Sequence, residues 1–391
     1  MNAKILSVNS GSSSIKFSLY EKKTQLVQLF AGIIKRIGFK NAELIVKDHM
    51  NGQEYHEPVR AETVSDAVNF LTEWLKKNHA ENITSIGHRV VHGMNHSTPE
   101  IITDRLLLEL EQSRSFDPDH LPGEIKLIKA FKEEYPGIIQ IACFDTSFHS
   151  CMPARATLLP LPRKYLKTGL RRYGFHGLSY SYLMQKLGEE KNIKTDGNII
   201  LAHLGNGASM VAVKNGQSMD TSMGFTPAGG FPMSTRSGDI DPGIVSFLMK
   251  NERVTPDQFS DLVNQRSGLL GISETSSDMQ DLLHLEKSDK RAADAVEIFC
   301  YQVKKWIGSF SAVLGGLDIL VFSGGIGENA SQIRARICDG LQFLGIELDE
   351  KLNGKSEKII SAGKSKVPVF VIPTDEELMI AETVCHVLSI N

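Results

Sequence analysis

The sequence predicts an α/β protein made of two related halves, and three observations carry that reading. Apolar strand-like runs alternate with helical patterns, and glycine-rich turns follow several of the strands. An opening unit of strand, small-residue turn and strand (residues 4–8, a Gly/Ser turn, residues 15–20) returns at 198–203, Leu204-Gly-Asn-Gly-Ala-Ser209 and 210–213. The length, 391 residues, exceeds what one ordinary core holds and suggests two domains. A plain hairpin around a glycine turn would share the look of the second observation, so the duplication stands as an expectation.

The elements follow in order. Residues 42–46 form a short strand candidate. Val68, Leu71, Trp74 and Leu75 fall at helical spacing within 65–77. Residues 83–92 read as a buried strand ending in His88-Arg89-Val-Val-His92. Helices are predicted over 106–112 and 123–134, then an apolar strand over 138–144 running into Asp145-Thr-Ser-Phe-His149. After the second hairpin come helices at 256–264 and 290–314, the latter with Ala295, Phe299, Val303 and Trp306 on one stripe. A buried strand over 318–322 leads into Ser323-Gly-Gly-Ile-Gly-Glu-Asn329, then a helix over 331–341. A strand over 367–372 and Pro373-Thr-Asp-Glu-Glu377 open the last helix.

Composition narrows the class. Hydrophobic residues at 41% and charged residues at 23% fit a soluble globular protein. A net charge of −3 gives no general attraction to nucleic acid or to an acidic membrane. No apolar run approaches a membrane span, and no h-region with a cleavage site follows Met1. The five cysteines are scattered, with no C-x-x-C, which fits reduced thiols and a cytoplasmic location.

Several motifs suit anionic oxygens. Asn9-Ser-Gly-Ser-Ser-Ser-Ile-Lys16 breaks two strands with backbone amides, hydroxyls and an ammonium, and Asn9 offers a carbonyl to a hydrated cation. Ser234-Thr-Arg-Ser-Gly-Asp-Ile-Asp-Pro242 sets Arg236 among small residues beside Asp239 and Asp241. Arg89 and Arg236 present planar forks for carboxylate or phosphate. His176 lies in the polar–aromatic run Arg171-Arg-Tyr-Gly-Phe-His-Gly-Leu178, which a core does not explain. The turns at 203–209 and 323–329 resemble nucleotide-side glycine turns. Asp145 and Glu376 read either as caps or solvated ends or as carboxylates for Mg²⁺, which takes only one or two. A P-loop is absent: Gly354-Lys-Ser and Gly363-Lys-Ser have Asp349 and Lys358 where the motif needs glycine. No H-E-x-x-H, cysteine pair or G-x-S-x-G occurs.

Taken together these motifs resemble the acetokinase family, within the acetate and sugar kinase, Hsp70 and actin superfamily. The resemblance runs nearly end to end, adding His88-Arg-Val-Val-His-Gly93, Phe144-Asp-Thr-Ser-Phe-His149 and Thr374-Asp-Glu-Glu377. It implies two duplicated actin-like ATPase (ribonuclease H-like) domains around a central cleft. The expected division is 1–149 plus 378–391 for the acid and phosphates, and 150–377 for nucleotide binding and dimerisation. It implies ATP as co-substrate, Mg²⁺ (with Mn²⁺ a substitute), a short-chain carboxylate, no nucleic-acid or membrane partner, and a homodimer. By resemblance, Ser12, Ser14 and Lys16 line the phosphates, while Asn9 and Glu376 hold the metal with Asp145. Arg89 and Arg236 bind the carboxylate and the transferring phosphoryl; His176 and Asn206 stabilise the transition state. Val91, His120, Phe175 and Pro227 belong to the acid pocket. His203, Gly205, Gly207, Asp278, Gly324, Gly325, Ile326, Gly327 and Asn329 belong to the nucleotide side.

Two departures from the family pattern bear on specificity. The family's Ala-Pro-Leu-His-Asn-Pro reads Asp117-Pro-Asp-His-Leu-Pro122 here, so Asp119 either turns outward or changes what the pocket accepts. Its Ser-Ser-Asp-Phe-Arg reads Ser276-Ser-Asp-Met-Gln280, which bears on nucleotide preference. The expected reaction is transfer of the ATP γ-phosphoryl to acetate. The rivals are a propionate or butyrate kinase and, in another class, an ATP-driven switch of the same fold.

Overall fold

The computed structural model describes residues 2–11, 14–78, 82–191 and 193–390. The chain forms two compact units: 1–147 with 177–179 and 375–391, and 148–176 with 180–374.

The first unit carries a mixed sheet of β1 (Lys4–Ser10), β2 (Ser14–Lys22), β3 (Leu26–Lys35), β4 (Glu43–Asp48), β5 (Gln53–Pro58), β6 (Ser85–Val90), β7 (Glu100–Ile101) and β8 (Ile139–Phe144). Its order is β5-β4-β3-β2-β1-β6-β8-β7. β6 lies parallel to β1 and β8 parallel to β6, so all three carboxyl ends emerge on one edge. These strands are covered on both faces and are therefore apolar nearly throughout. On one face Leu71 and Leu75 of the helix Val64–Asn78 join Phe131 of the helix Leu121–Glu134 over Phe17 and Phe30. On the other, Ile380 and Val384 of the helix Glu376–Val387 pack on Ile5, Tyr20 and Ile141. Gly87 permits that close approach, because a Cβ there would meet Ile380 Cγ2 at 2.4 Å.

The second unit carries β9 (Asn198–Leu204), β10 (Ala208–Lys214), β11 (Gln217–Thr221), β12 (Ile319–Ser323) and β13 (Val369–Val371), in the order β11-β10-β9-β12-β13. The long helix Lys290–Leu314 packs on β9 and β10. Tyr180, Leu183 and Leu187 cover the sheet residues Ile199, Leu201 and Val211.

The duplication is a matter of topology. In each unit an antiparallel meander (β1-β2-β3, β9-β10-β11) is extended by two strands parallel to its first member (β6 and β8, β12 and β13). Some elements differ from the sequence expectation. Residues 324–329 are a one-and-a-half-turn helix (Gly324–Asn329) rather than an open turn, and the next helix stops at Cys338. β3 and β5 have no apolar alternation to announce them; β5 is exposed at all six positions. The helices Pro242–Asn251 and Met279–Leu285 are set by their caps, Asp241 and Asp278, more than by an apolar stripe.

Candidate active site

In the first unit the carboxyl ends of β1, β6 and β8 bring Asn9, Arg89 and Asp145 together, where an open α/β sheet places its ligands. Arg89 gives Nε and Nη2 to Asp145 Oδ2 (3.1 and 2.6 Å) and Nη1 to Asn9 Oδ1 (3.1 Å). Three of its five N–H groups are thus placed, leaving one on each terminal nitrogen for anionic oxygens. Burial works against the Arg89 charge; Asp145 and then Glu376 outweigh it and keep the guanidinium firmly protonated. Asn9 passes the network on, donating Nδ2 to Glu376 Oε2 (2.9 Å) and Glu377 Oε1 (3.0 Å). Burial raises the Glu377 carboxyl above its usual range, with Lys16 pulling the other way. Lys16 is exposed opposite Asn9 in the β1–β2 ladder, and Ser14 begins β2. Ser12 lies outside the described residues.

Beside this network sits an acidic pair that the sequence reading missed. Glu124 is 1% exposed, and its two oxygens accept the Val91 amide at 3.1 and 3.2 Å. Burial, then the neighbouring Asp117, raise its carboxyl well above the usual range. Asp117 is buried, with His120 Nδ1 3.8 Å from its Oδ1. Asp119 is exposed, which answers the question its position posed: it turns outward, and the acid that goes inside is Asp117.

The second unit gathers a different set. His176 stands at the N-cap of the helix Gly177–Gly188 with φ +60°, a left-handed conformation costly for a residue with a Cβ. Its Nδ1 lies 2.8 Å from Ser209 Oγ, and Ser209 is in turn bonded to the Tyr180 hydroxyl. Its ring centroid is 4.4 Å from that of His203, at the end of β9. Gly207 makes the centre: a Cβ there would lie 3.3 Å from His176 Nε2 and 3.5 Å from Arg236 Nη1. Arg236 Nη1 also donates to the Pro227 carbonyl (3.3 Å), and Ser234 holds Asn206 Oδ1 (3.3 Å). His176, His203, Asn206, Gly207, Pro227 and Arg236 are therefore neighbours through named contacts.

The loop carrying Arg236 is fixed by a residue the sequence did not flag. Gly268 has φ +59°, and a Cβ there would lie 2.1 Å from Met233 O and 2.7 Å from Arg236 O. Only glycine admits that contact, and the Ser267, Leu269 and Leu270 amides bond to the carbonyls of Thr235, Met233 and Ser234. The two acids of the same motif are backbone supports: Asp239 accepts the Gly230 amide (2.9 Å) and Asp241 the Gly243 amide (2.6 Å). Of the remaining nucleotide candidates, Gly205 would place a Cβ 3.7 Å from His203 Nε2 and 3.8 Å from the Gly325 amide. Gly325 and Asn329 are exposed, Ile326 half-buried, and Gly324 and Gly327 buried. Phe175 is buried and gives its carbonyl to His149 Nε2 (3.0 Å). Asp278 is exposed and caps its helix through the Gln280 and Asp281 amides.

The oxygen donors of the first set fit a hard divalent cation. Asn9, Asp145, Glu376 and Glu377 offer carboxylate and amide oxygens only, and acids outnumber the one guanidinium among them. Among the described residues no cluster of three or more His, Cys, Asp or Glu stands close enough to hold a metal ion by itself.

An anchored arginine and carboxylates for a cation at the strand ends of one unit, and imidazole and guanidinium donors around a glycine turn in the other, are the residue types of a phosphoryl-transfer enzyme. The model of the acetokinase family matches residues 4–382. An acetate kinase of Thermoanaerobacterium thermosaccharolyticum is 43% identical, with 97% of each chain covered. The crystal structure of a propionate kinase from Francisella tularensis superposes with a TM-score of 0.91 at 37% identity, over 97% of this chain and 98% of that one. That of Porphyromonas gingivalis acetate kinase gives 0.87 at 37% identity, over 99% and 100%. The chain belongs to the acetokinase family, whose reaction is the ATP-dependent phosphorylation of acetate. Its fold is the duplicated actin-like ATPase fold, and it is a phosphotransferase with a carboxyl group as acceptor, using ATP and a divalent metal.

Proposed function

We propose that the enzyme transfers the γ-phosphoryl of ATP in line to an acetate oxygen, giving acetyl phosphate and ADP reversibly, with Mg²⁺ as its metal. The observation that carries this is the Arg89 network, in which Asp145 and Asn9 aim a permanently charged fork. A carboxylate acceptor is already ionised at neutral pH and needs no general base. Positioning and charge dispersal are the work to be done, and the residues present supply both.

Arg89 and Arg236 hold the acceptor carboxylate and the transferring phosphoryl. His176, its ring set by Ser209 and Tyr180, donates toward the equatorial oxygens together with Asn206. Lys16, Ser12 and Ser14 neutralise and orient phosphates. Asn9, Asp145 and Glu376 would hold Mg²⁺, which when bound offsets the charge of the phosphate oxygens. Val91, His120, Phe175 and Pro227 shape the acid pocket. The first unit carries Val91, His120 and the phosphate residues; the second carries Phe175, Pro227 and Arg236 and serves the nucleotide through His203, Gly205, Gly207, Asp278 and residues 324–329.

Acetate is favoured over a longer acid because Asp119 points to solvent, so the family's apolar pocket is not breached at that position. The relative named a propionate kinase makes the acid series the deciding experiment. A methylene in an apolar pocket is worth about 1–3 kcal/mol, so kcat/KM across formate, acetate, propionate and butyrate should peak at acetate and fall gradually to propionate. A peak at propionate or butyrate would overturn the assignment.

A homodimer is supported by the helices Pro242–Asn251 and Pro256–Gln265, which are apolar on one side yet bury no residue fully within the chain; Ile244 and Phe247 are exposed at 42% and 59%. Analytical ultracentrifugation should give twice the chain mass, and Phe247→Lys should shift it toward the monomer. A cytoplasmic location is supported by five free cysteines, and among the described residues no helix is long and apolar enough to cross a membrane.

A further inference from the structure

The helix Gly324–Asn329 is held at both ends by side chains that no catalytic role requires. At its start, Glu328 Oε1 accepts the Gly324 amide (2.9 Å), the Thr374 amide (3.2 Å) and the Ser323 hydroxyl (3.4 Å). One carboxylate oxygen thus ties the end of β12 to the segment that follows β13. At its end, Arg334 gives Nη1 to the Gly327 and Glu328 carbonyls (2.8 and 2.9 Å). Its other donors reach Asn353 Oδ1 (2.9 Å), Asn353 O (2.8 Å) and Ser356 Oγ (3.0 Å).

Arg334 is 0% exposed and, among the described residues, forms no ion pair; every acceptor it uses is neutral. A buried guanidinium without a counter-charge is an expensive way to fill a core. Its place at the carbonyl end of a short helix is where such a charge is best tolerated. The helix it fixes leans on the other glycine turn: a Cβ on Gly324 would lie 2.6 Å from Leu204 O. The Gly324 amide, already given to Glu328, is not a donor for a ligand.

We propose that Glu328, with Arg334, is a positioning residue that holds residues 324–329 in the shape that receives the nucleotide. This rests on the reading of that segment as a nucleotide site. The acid side of the reaction should be indifferent to it, because the brace touches none of the residues assigned to acetate.

The test is steady-state KM for ATP and for acetate, with ADP affinity by calorimetry. Glu328→Ala should raise the ATP KM and ADP Kd by roughly 10-fold or more, since it strands the buried Gly324 amide and cuts the tie to Thr374, and leave the acetate KM within about 2-fold. Glu328→Gln, which keeps an acceptor oxygen, should recover most of the affinity. If the alanine variant does not fold, Glu328→Asp, which withdraws the oxygen by a methylene, carries the same prediction. An unchanged ATP KM, or equal rises for ATP and acetate, overturns the brace. Gly325→Phe separates the two ideas, because a Cβ at Gly325 meets no atom within 4 Å and projects where a ligand would sit. If that variant binds ADP normally, the nucleotide reading itself fails; if it loses ADP while Glu328→Ala binds normally, only the brace fails.

Discussion

The two units share a strand order and differ in what they place at the ends of those strands. The first ends β1, β6 and β8 with an amide, a guanidinium and a carboxylate, bound into one charged network that reaches Glu376 and Glu377. The second surrounds Gly207 with imidazole and guanidinium nitrogens and places glycine turns where the first has charge. The first set holds more carboxylates than its one guanidinium, and suits a metal and an oriented arginine. The second presents donors and open backbone, and suits a polyphosphate. The shared strand order thus carries different side chains in the two units, at strand ends in the first and largely on turns and loops in the second.

Breaking the first network should have the largest effect. Asp145→Asn removes the charge that anchors Arg89 and a carboxylate proposed for the metal, and kcat should fall roughly 1000-fold, as for loss of a main electrostatic contact. Glu376→Ala should lose activity comparably and raise the Mg²⁺ concentration needed for half-maximal rate. Near-normal turnover in either would show that the network does not serve the metal.

In the second unit, Gly268→Ala forces a side chain into the backbone of the Arg236 loop. Displacing that arginine should lower kcat about 10- to 100-fold, with a lower Tm, while the KM for acetate moves less. Full activity in that variant would mean that the loop tolerates another shape. A smaller loss is expected for Ser209→Ala, which frees the His176 ring from its 2.8 Å partner. Turnover should drop about 3- to 10-fold. A pH–rate profile shifted relative to wild type would separate ring orientation from mere packing.

The last effect is on stability rather than turnover, and it treats the units alike. Each buries a neutral histidine: His88, bonded to Gln140 Oε1 at 2.7 Å, and His149, bonded to Ser218 Oγ and the Phe175 carbonyl. Burial pushes both down to about 4, against 6.5 unperturbed. The unfolded chain therefore binds these protons first as pH falls. Their stabilising contribution, up to about 3 kcal/mol each, is complete above pH 6.5 and lost as pH drops toward 4. Tm should fall across that window, and His149→Gln should flatten the fall. A Tm independent of pH between 6.5 and 4 would contradict neutral burial.

Much of this was legible in the chain. The hairpin repeat pointed to the duplication because strand, turn and strand are local in sequence. Arg89, Asp145, His176 and Arg236 stood out because charge at the end of an apolar strand is conspicuous. Residues that act by fitting were silent. Gly268 is one glycine among 33 until its Cβ is built against Met233 O. Glu124 and Asp117 looked like ordinary polar residues near a helix start, and only burial reveals them as an acidic pair. Asp239 and Asp241 looked chemical, and backbone amides claim them instead.

The most direct test follows acyl phosphate as its hydroxamate in wild type, Arg89→Ala and Arg236→Ala, with and without acetate. Trapped product should depend on acetate in the wild type and fall roughly 100- to 1000-fold in each variant with circular dichroism unchanged. Acetate-independent ATP hydrolysis, or a folded variant of either arginine with undiminished kcat, would contradict the roles proposed for Arg89 and Arg236 in phosphoryl transfer.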